Sequence, residues 1–141
     1  MNAQPLPEPA GYREIEHTAD WELQVWAPTL PELFEQAARG MYALSGMRLE
    51  RPAHRQRRLT LQAADAESLL VLFLSELLHF IEHENLAFDR FQIELQGFEL
   101  HASLRGAAVQ KFDKEIKAVT YHNLQVRREA QGYRVNIVFD V

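Results

Sequence analysis

Hydrophobic and polar residues alternate in "WELQVW", residues 21–26, as they do along a half-buried β-strand. The preceding stretch "YREIE", residues 12–16, is also typical of an extended segment. The pattern predicts two strands. The tetrapeptide "HTAD", residues 17–20, would form the turn between them.

The period then changes to that of an amphipathic helix, because apolar residues recur three and four positions apart from Leu30 to Leu44. Thr29 stands three residues before Glu32, a spacing at which each side chain can satisfy the other residue's free backbone N–H. Gly46 occupies the position of a left-handed C-terminal cap. These signals predict a helix that begins after Thr29 and ends just before Gly46.

A second helix is predicted from the N-cap Asp65 to about Glu84. Its central stretch "LLVLFLSELLHFI" is apolar around most of the circumference, which is typical of a helix buried on more than one side. Ser75, Glu76 and His79 interrupt that stretch, whereas a membrane span needs about 20 mostly apolar residues. We therefore predict a core helix and no association with a membrane.

The remainder of the chain has mainly strand-like patterns. "FDRFQIELQG" and "FELHASLRG" predict a hairpin around Gly97. Residues 115–128 predict another extended segment, and Gln131-Gly132 turns it into the last strand, "YRVNIVFDV". Strands and helices alternate irregularly, so the predicted fold class is α+β, with an antiparallel-rich mixed sheet packed on two main helices.

A length of 141 residues is that of one ordinary domain. We expect a flexible lead-in at residues 1–11, which contains three prolines, and a single domain at residues 12–141. The lead-in lacks the basic start and apolar stretch of a signal peptide, and the chain has no cysteine, which excludes disulfides and thiolate metal sites. A cytoplasmic location is therefore expected.

The formal charge of −5 argues against a protein that holds nucleic acid through its overall field. The main basic cluster is "RLERPAHRQRR", residues 48–58, with five arginines. Arginine forks match phosphate oxygens, so the cluster could bind an anion or an RNA backbone. Because the chain as a whole is acidic, a solvated loop is the preferred interpretation of this segment.

One short motif suggests a zinc enzyme. "HFIEH" matches the H-x-x-E-H pattern of inverted zinc peptidases, with His79 and His83 one turn apart on a helix and Glu82 beside them. A catalytic zinc site needs a third protein ligand, and nothing downstream marks one. A solvated helix end is the favoured interpretation, and the metallopeptidase stays an alternative.

Carboxylates near strand ends offer a second kind of metal site. Asp20 lies in the turn between the first two strands, Asp140 is the penultimate residue, and Val141 contributes the terminal carboxylate. Oxygen ligands of this kind suit hard divalent cations such as Mg²⁺ or Ca²⁺. An Asp in a turn usually bonds its own backbone, so the spacing alone is weak support.

Five segments, "EHTAD", "TLPELFEQAARGMY", "LLVLFLSELL", "EIKAVTYHNL" and "IVFDV", together resemble the archease family in the same order. The likeness extends from about Tyr12 to Val141. "HTAD" and "KAVTYH" are specific as a pair, and the acidic C-terminus is a third match.

The resemblance implies a non-enzymatic activator of an RtcB-type RNA ligase, which promotes guanylylation of the ligase by GTP and multiple turnover in tRNA splicing or RNA repair. The chain would contact RNA only indirectly, through the ligase. The resemblance also implies one divalent cation, Ca²⁺, Mg²⁺ or Mn²⁺, held by Asp20, Asp140 and Val141. It associates Lys117 with activation, and His17 and His122, which lie in the same motifs, would line that activation surface.

The chain departs from the family pattern at residues 105–114, where Ala107 follows Gly106 instead of the Glu, Asp and His of many relatives. Any contact contributed there is in question. A third class of function, a chaperone-like binding domain without metal chemistry, stays open beside the activator and the metallopeptidase.

Overall fold

A computed structural model describes residues 8–16 and 21–141 of the chain. Within those residues the elements are β1 (Gly11–Ile15), β2 (Trp21–Ala27), α1 (Leu30–Ser45), β3 (Arg48–Leu49), β4 (Arg55–Gln62), α2 (Ala66–Glu84), β5 (Leu86–Gln96), β6 (Glu99–Lys111), β7 (Ala118–Val119), β8 (Arg127–Glu129) and β9 (Gly132–Asp140). No helix in these two ranges is long and apolar enough to cross a membrane.

The strands form two sheets, and the pairings in both are antiparallel. In the first sheet the order is β1-β2-β9-β7, and β8 also pairs with β9. In the second sheet β6 is central and pairs with β3, β4 and β5. The predicted α+β class, with antiparallel pairing and two main helices, is confirmed; its strands are divided between two sheets.

Both helices contact strands of both sheets. α1 packs on β1, β2 and β9 of the first sheet and on β5 of the second. α2 packs on β4, β5 and β6 of the second sheet and on β7 of the first. The core consists of apolar residues from both helices and both sheets, so α2 is buried on more than one side, as its sequence predicts.

The predicted N-caps Thr29 and Asp65 are present, but Glu32 accepts from the Thr29 hydroxyl instead of from the Thr29 N–H. The Glu32 N–H donates to the Thr29 hydroxyl at 3.3 Å, and that hydroxyl donates to a Glu32 carboxylate oxygen at 3.2 Å. Gly46 closes α1 with φ 69°. The Ser68 N–H donates to the Asp65 carboxylate at 2.7 Å and begins α2. The hydrogen bonds from Ser68 hold the pKa of Asp65 below its ordinary value of 3.8.

The prediction of one extended segment over residues 115–128 is wrong. Only residues 118–119 and 127–128 of it lie in strands, β7 and β8, and each strand pairs with a different part of β9. The Thr120 N–H and hydroxyl both donate to the Val138 carbonyl, at 3.1 Å and 2.9 Å, and Asn123 then turns the chain at φ 51°. Two short strands on one edge of β9, separated by a turn, replace the predicted continuous strand.

The interpretation of residues 48–58 as a solvated loop is also wrong for most of that segment. It contains β3 and the start of β4, whose alternation turns Arg55 and Arg57 toward α2. Arg57 donates to the Glu84 carboxylate, and Arg55 lies 3.6 Å from it. The hydrogen bond from Arg57 lowers the pKa of Glu84. Intramolecular carboxylates therefore neutralise part of the basic cluster.

Gly106 permits a close approach between β6 and β5. The pairing register shifts between Phe88 and Arg90, so that Asp89 is the extra residue of a bulge opposite Gly106. A Cβ at position 106 would lie 1.8 Å from the Ala87 carbonyl oxygen. Backbone atoms surround that position, so no side-chain movement could relieve the clash.

We expect Gly106→Ala to destabilise the domain by about 3 kcal/mol, the upper end of the usual cost of overpacking. The reason is the clash with the Ala87 carbonyl. Urea unfolding followed by circular dichroism measures the change. Ser103→Ala, an exposed position on the same strand, is the control and should stay within about 0.5 kcal/mol of the wild type. A stability equal to that control would contradict the close approach.

The Asp65 cap predicts a pH dependence. Because the folded pKa of Asp65 lies below 3.8, its charged form adds stability at higher pH, and that stability is lost as the pH falls through the folded pKa. Asp65→Asn keeps a capping side chain but does not titrate. The stability difference between wild type and Asp65→Asn, from urea unfolding, should therefore shrink below pH 3.8. A difference independent of pH would show that the charge does not contribute.

Candidate functional site at the carboxyl end of the last strand

The C-terminal end of β9 lies between two other strands. Phe139 is opposite Trp21 of β2 on one side and Val119 of β7 on the other, and Asp140 is opposite Ala118. The Lys117 N–H donates to the Asp140 carbonyl at 2.8 Å. We call Lys117, Asp140 and Val141 the C-terminal site.

The side chains of the C-terminal site are directed differently. Those of Lys117 and Asp140 are exposed. Val141 is half-buried and packs against the core, so it anchors the end of the chain. The packed Val141 side chain and the Lys117 backbone bond fix the backbone that carries the Asp140 carboxylate and the Lys117 amine.

The segment before Lys117 is tied to both α1 and β2. The N–H groups of Asp113 and Lys114 donate to the Ser45 carbonyl at 2.8 Å and 3.1 Å, and the Lys114 amine lies 5.3 Å from the centre of the Trp21 ring. A cation over an aromatic face is favourable. These contacts bring the beginning of β2, the end of β9 and the residues around Lys117 to one end of the first sheet.

Two predicted site residues, His17 and Asp20, lie outside the described residues. Trp21, the residue after Asp20, is opposite Phe139, the residue before Asp140. The described residues contain no group of three His, Asp or Glu side chains that could hold a metal ion. Two of the three predicted oxygen donors, Asp140 and Val141, are adjacent in the sequence, and oxygen donors are chemically suited to a hard cation.

His122 lines a different cleft from Lys117. This second cleft lies on the face of the first sheet that carries Glu22, Gln24 and Asn136, with His122 and Asn123 on its border. The Asn136 amide donates to Glu22 at 2.6 Å. The same segment also contacts α2, because the Val126 N–H donates to Glu67 at 2.7 Å. The structure therefore does not bring His122 into the C-terminal site.

Lys117 lines a cleft of about 540 Å³ between the two helices and residues 112–119. Its wall includes apolar side chains such as Met41, Leu78 and Ile116, together with His79 and Glu82. No pattern in the sequence predicts this cleft. Its lining residues come from three distant segments, so no local pattern could have marked it.

Comparison with known proteins supports one family throughout. A protein-family model described as "Archease protein family (MTH1598/TM1083)" matches residues 12–141. "Protein archease" of Methanosarcina mazei is 34% identical over 139 residues, covering 92% of this chain and 95% of the relative. "Protein archease" of Pyrococcus furiosus is 31% identical over 131 residues, covering 86% and 91%.

The chain belongs to the archease family. The fold agrees with this assignment, because the solution structure of Methanobacterium thermoautotrophicum protein 1598 matches with a TM-score of 0.70 at 25% identity, covering 93% of this chain and 99% of that one. The resemblance inferred from the five segments is confirmed.

Archease membership weakens the metallopeptidase alternative, and so does the geometry of its motif. The rings of His79 and His83 lie 6.0 Å apart on α2, and His79 Nδ1 lies 3.7 Å from Glu76 Oε1. Among residues 8–16 and 21–141 no third ligand completes a metal-holding group with them. A zinc site built on these residues has no support in the described part of the chain.

The segment that departs from the archease family pattern has a structural role. Residues 105–111 continue β6, where Gly106 allows the bulge, and residues 112–114 lead to the Ser45 contacts. Asp113 is the acidic residue of this segment. A Cβ on Gly46 would lie 2.3 Å from Asp113 Oδ2, so the two residues are in close contact. The altered segment therefore closes the fold around the end of α1.

We expect Glu67→Ala to release residues 120–126, because it removes the acceptor of the Val126 N–H. Hydrogen bonds to charged groups contribute about 1.5–3 kcal/mol, so amide exchange at Val126 should accelerate about tenfold or more. Exchange measured by NMR gives the result. Glu82→Ala on the same helix is the control, and unchanged exchange at Val126 in Glu67→Ala would show that the bond is unimportant.

Proposed function

We propose that this chain activates an RtcB-type RNA ligase in tRNA splicing or RNA repair, promoting guanylylation of the ligase by GTP and repeated turnover, and that it performs no catalysis itself. Membership of the archease family supports this proposal. The observation that carries it is the strand register at the end of β9. Asp140 accepts from the Lys117 N–H, and it follows Phe139, the residue that pairs with Trp21.

The proposed site is acidic, with one compensating amine. Asp20, Asp140 and Val141 would hold one divalent cation, Ca²⁺, Mg²⁺ or Mn²⁺, through oxygen ligands. Bound there, the cation would supply positive charge of the kind that neutralises phosphate during nucleotidyl transfer. The residues of this chain position that charge: the Lys117 N–H fixes the Asp140 backbone, and the Val141 side chain anchors the terminus.

Backbone held by strand pairing favours an activator that presents charges at fixed backbone positions to a partner. Asp140 and Lys117 are exposed but lie on such backbone, so little backbone entropy is lost when a partner contacts them. The reacting groups, GTP and RNA ends, would be bound by the ligase. The same proposal places the chain in the cytoplasm and in RNA processing, with Ca²⁺, Mg²⁺ or Mn²⁺ as the bound cation.

Addition of a substoichiometric amount of this chain to purified ligase, GTP, Mn²⁺ and broken RNA should convert single turnover into multiple turnover. Asp140→Asn should lower that stimulation at least tenfold, because it removes a charged oxygen ligand. Glu99→Gln, which neutralises a carboxylate on the hairpin of the second sheet, is the matched control and should keep full stimulation.

The result that would overturn the proposal is turnover that is the same with and without the chain. Full stimulation by Asp140→Asn would instead favour a metal-independent, chaperone-like binding domain. Addition of one glycine after Val141 separates the roles of side chain and terminus. It displaces the terminal carboxylate, so calorimetric titration with Mn²⁺ should show weaker binding if that carboxylate is a ligand.

A further inference from the structure

The outer face of the second sheet carries arginines that have no acidic partner among residues 8–16 and 21–141. Arg58 of β4, Arg105 of β6 and Arg90 of β5 are exposed, and we call them the arginine face. In the described part of the chain none of the three belongs to an ion pair. In contrast, Arg55 and Arg57 on the inner side of the same strand share Glu84.

The arrangement places like charges next to each other. Arg90 is directly opposite Arg105, and Arg58 is opposite Ser103, which is two residues from Arg105 on the same face. Like charges at directly opposed positions of a sheet are destabilising. The bulge at Asp89 sets this register, since it ends the Phe88–Gly106 pairing and begins the Arg90–Arg105 pairing. A feature that is unfavourable in the free protein indicates a negatively charged ligand.

The chemistry of the face favours phosphates over a protein. Protein interfaces have an apolar centre with aromatic side chains, whereas the neighbours of these arginines are polar: Gln56 is opposite Arg105, and Gln92 is opposite Ser103. Among the described residues the exposed large apolar side chains are Tyr12, Phe98, Phe112 and Tyr121, and none lies on these rows. Arginine forks and amides can bind phosphate and sugar oxygens, and such contacts carry no sequence information.

The size of the face also suits a nucleic-acid backbone. Adjacent strands lie about 4.8 Å apart, so the arginines of β4, β6 and β5 spread across about 10 Å. A duplex strand carries one charge about every 3.4 Å along its axis, so several phosphates fit within that width. The acidic residues of the outer face stand toward the other end of the strands, where Glu99 lies 3.4 Å from His101. The local charge is therefore positive although the whole chain is at −5.

We propose that the arginine face binds the phosphate backbone of RNA directly. That the polyanion is RNA rests on the proposed function. In the proposed function itself, the ligase binds the RNA and this chain does not. The face belongs to the second sheet and the C-terminal site to the first, so one molecule could contact RNA and the ligase on different surfaces. Phosphate contacts alone give binding without sequence preference and with strong salt dependence.

The test measures binding of a fluorescein-labelled RNA hairpin to the full chain by anisotropy at several salt concentrations. Three phosphate contacts predict a slope of log K against log salt of about −2 to −3, and Arg105→Gln should reduce that slope by about 1. The triple variant Arg58→Gln, Arg90→Gln, Arg105→Gln should bind at least tenfold more weakly. Arg127→Gln, an exposed arginine on β8 of the first sheet, is the control and should bind like the wild type.

Three results would overturn the proposal: no binding by the wild type at low salt, an equal loss in Arg127→Gln, or unchanged binding by the triple variant. Equal competition by polyglutamate of matched charge would assign the face to an acidic protein segment instead. Ligase guanylylation measured without RNA separates this proposal from the proposed function. The triple variant should stimulate it fully, whereas failure of the wild type to do so would refute the activator and leave the RNA result to stand by itself.

Discussion

Burial of α2 on more than one side is the constraint on which the rest of the structure depends. A helix with apolar residues around most of its surface needs such cover, and the second sheet, α1 and β7 of the first sheet supply it. α1 takes part in the same layer, so each sheet has one face on the helices and one face toward solvent. The two proposed functional surfaces lie on parts of the sheets that the helices do not cover. They are the end of the first sheet and the outer face of the second.

Elements with strong local signals could be predicted from the sequence. The N-cap Thr29 and the C-cap Gly46 bound α1, and the N-cap Asp65 with an apolar run bounds α2. The strands that alternate cleanly, such as β2 and the β5–β6 pair, were also predicted. In these elements local preference and tertiary packing agree, which is why single-sequence reasoning succeeds there.

The elements that were missed depend on pairing between distant residues. Residues 115–128 contain good strand formers, yet their backbone is divided by bonds to Val138 and by the turn at Asn123. The arginines of residues 48–58 look alike in sequence, and only the alternation of β4 shows that Arg57 faces Glu84 whereas Arg58 faces solvent. For the candidate site, family likeness indicated Asp140, Val141 and Lys117, but the register that brings them together and the cleft beside Lys117 required the fold.

The two sheets also differ in the length of chain that must be closed to form them. β5 and β6 are joined by a tight hairpin at Gly97, whereas the contact between Gln24 and Asn136 joins residues 112 positions apart. Long-range closure costs entropy before its contacts form, and it slows folding. We therefore expect the second sheet and the helices to form early and the first sheet to close last. The C-terminal site would then exist only in chains that have completed folding, so an incompletely folded chain would not present its charges to a partner.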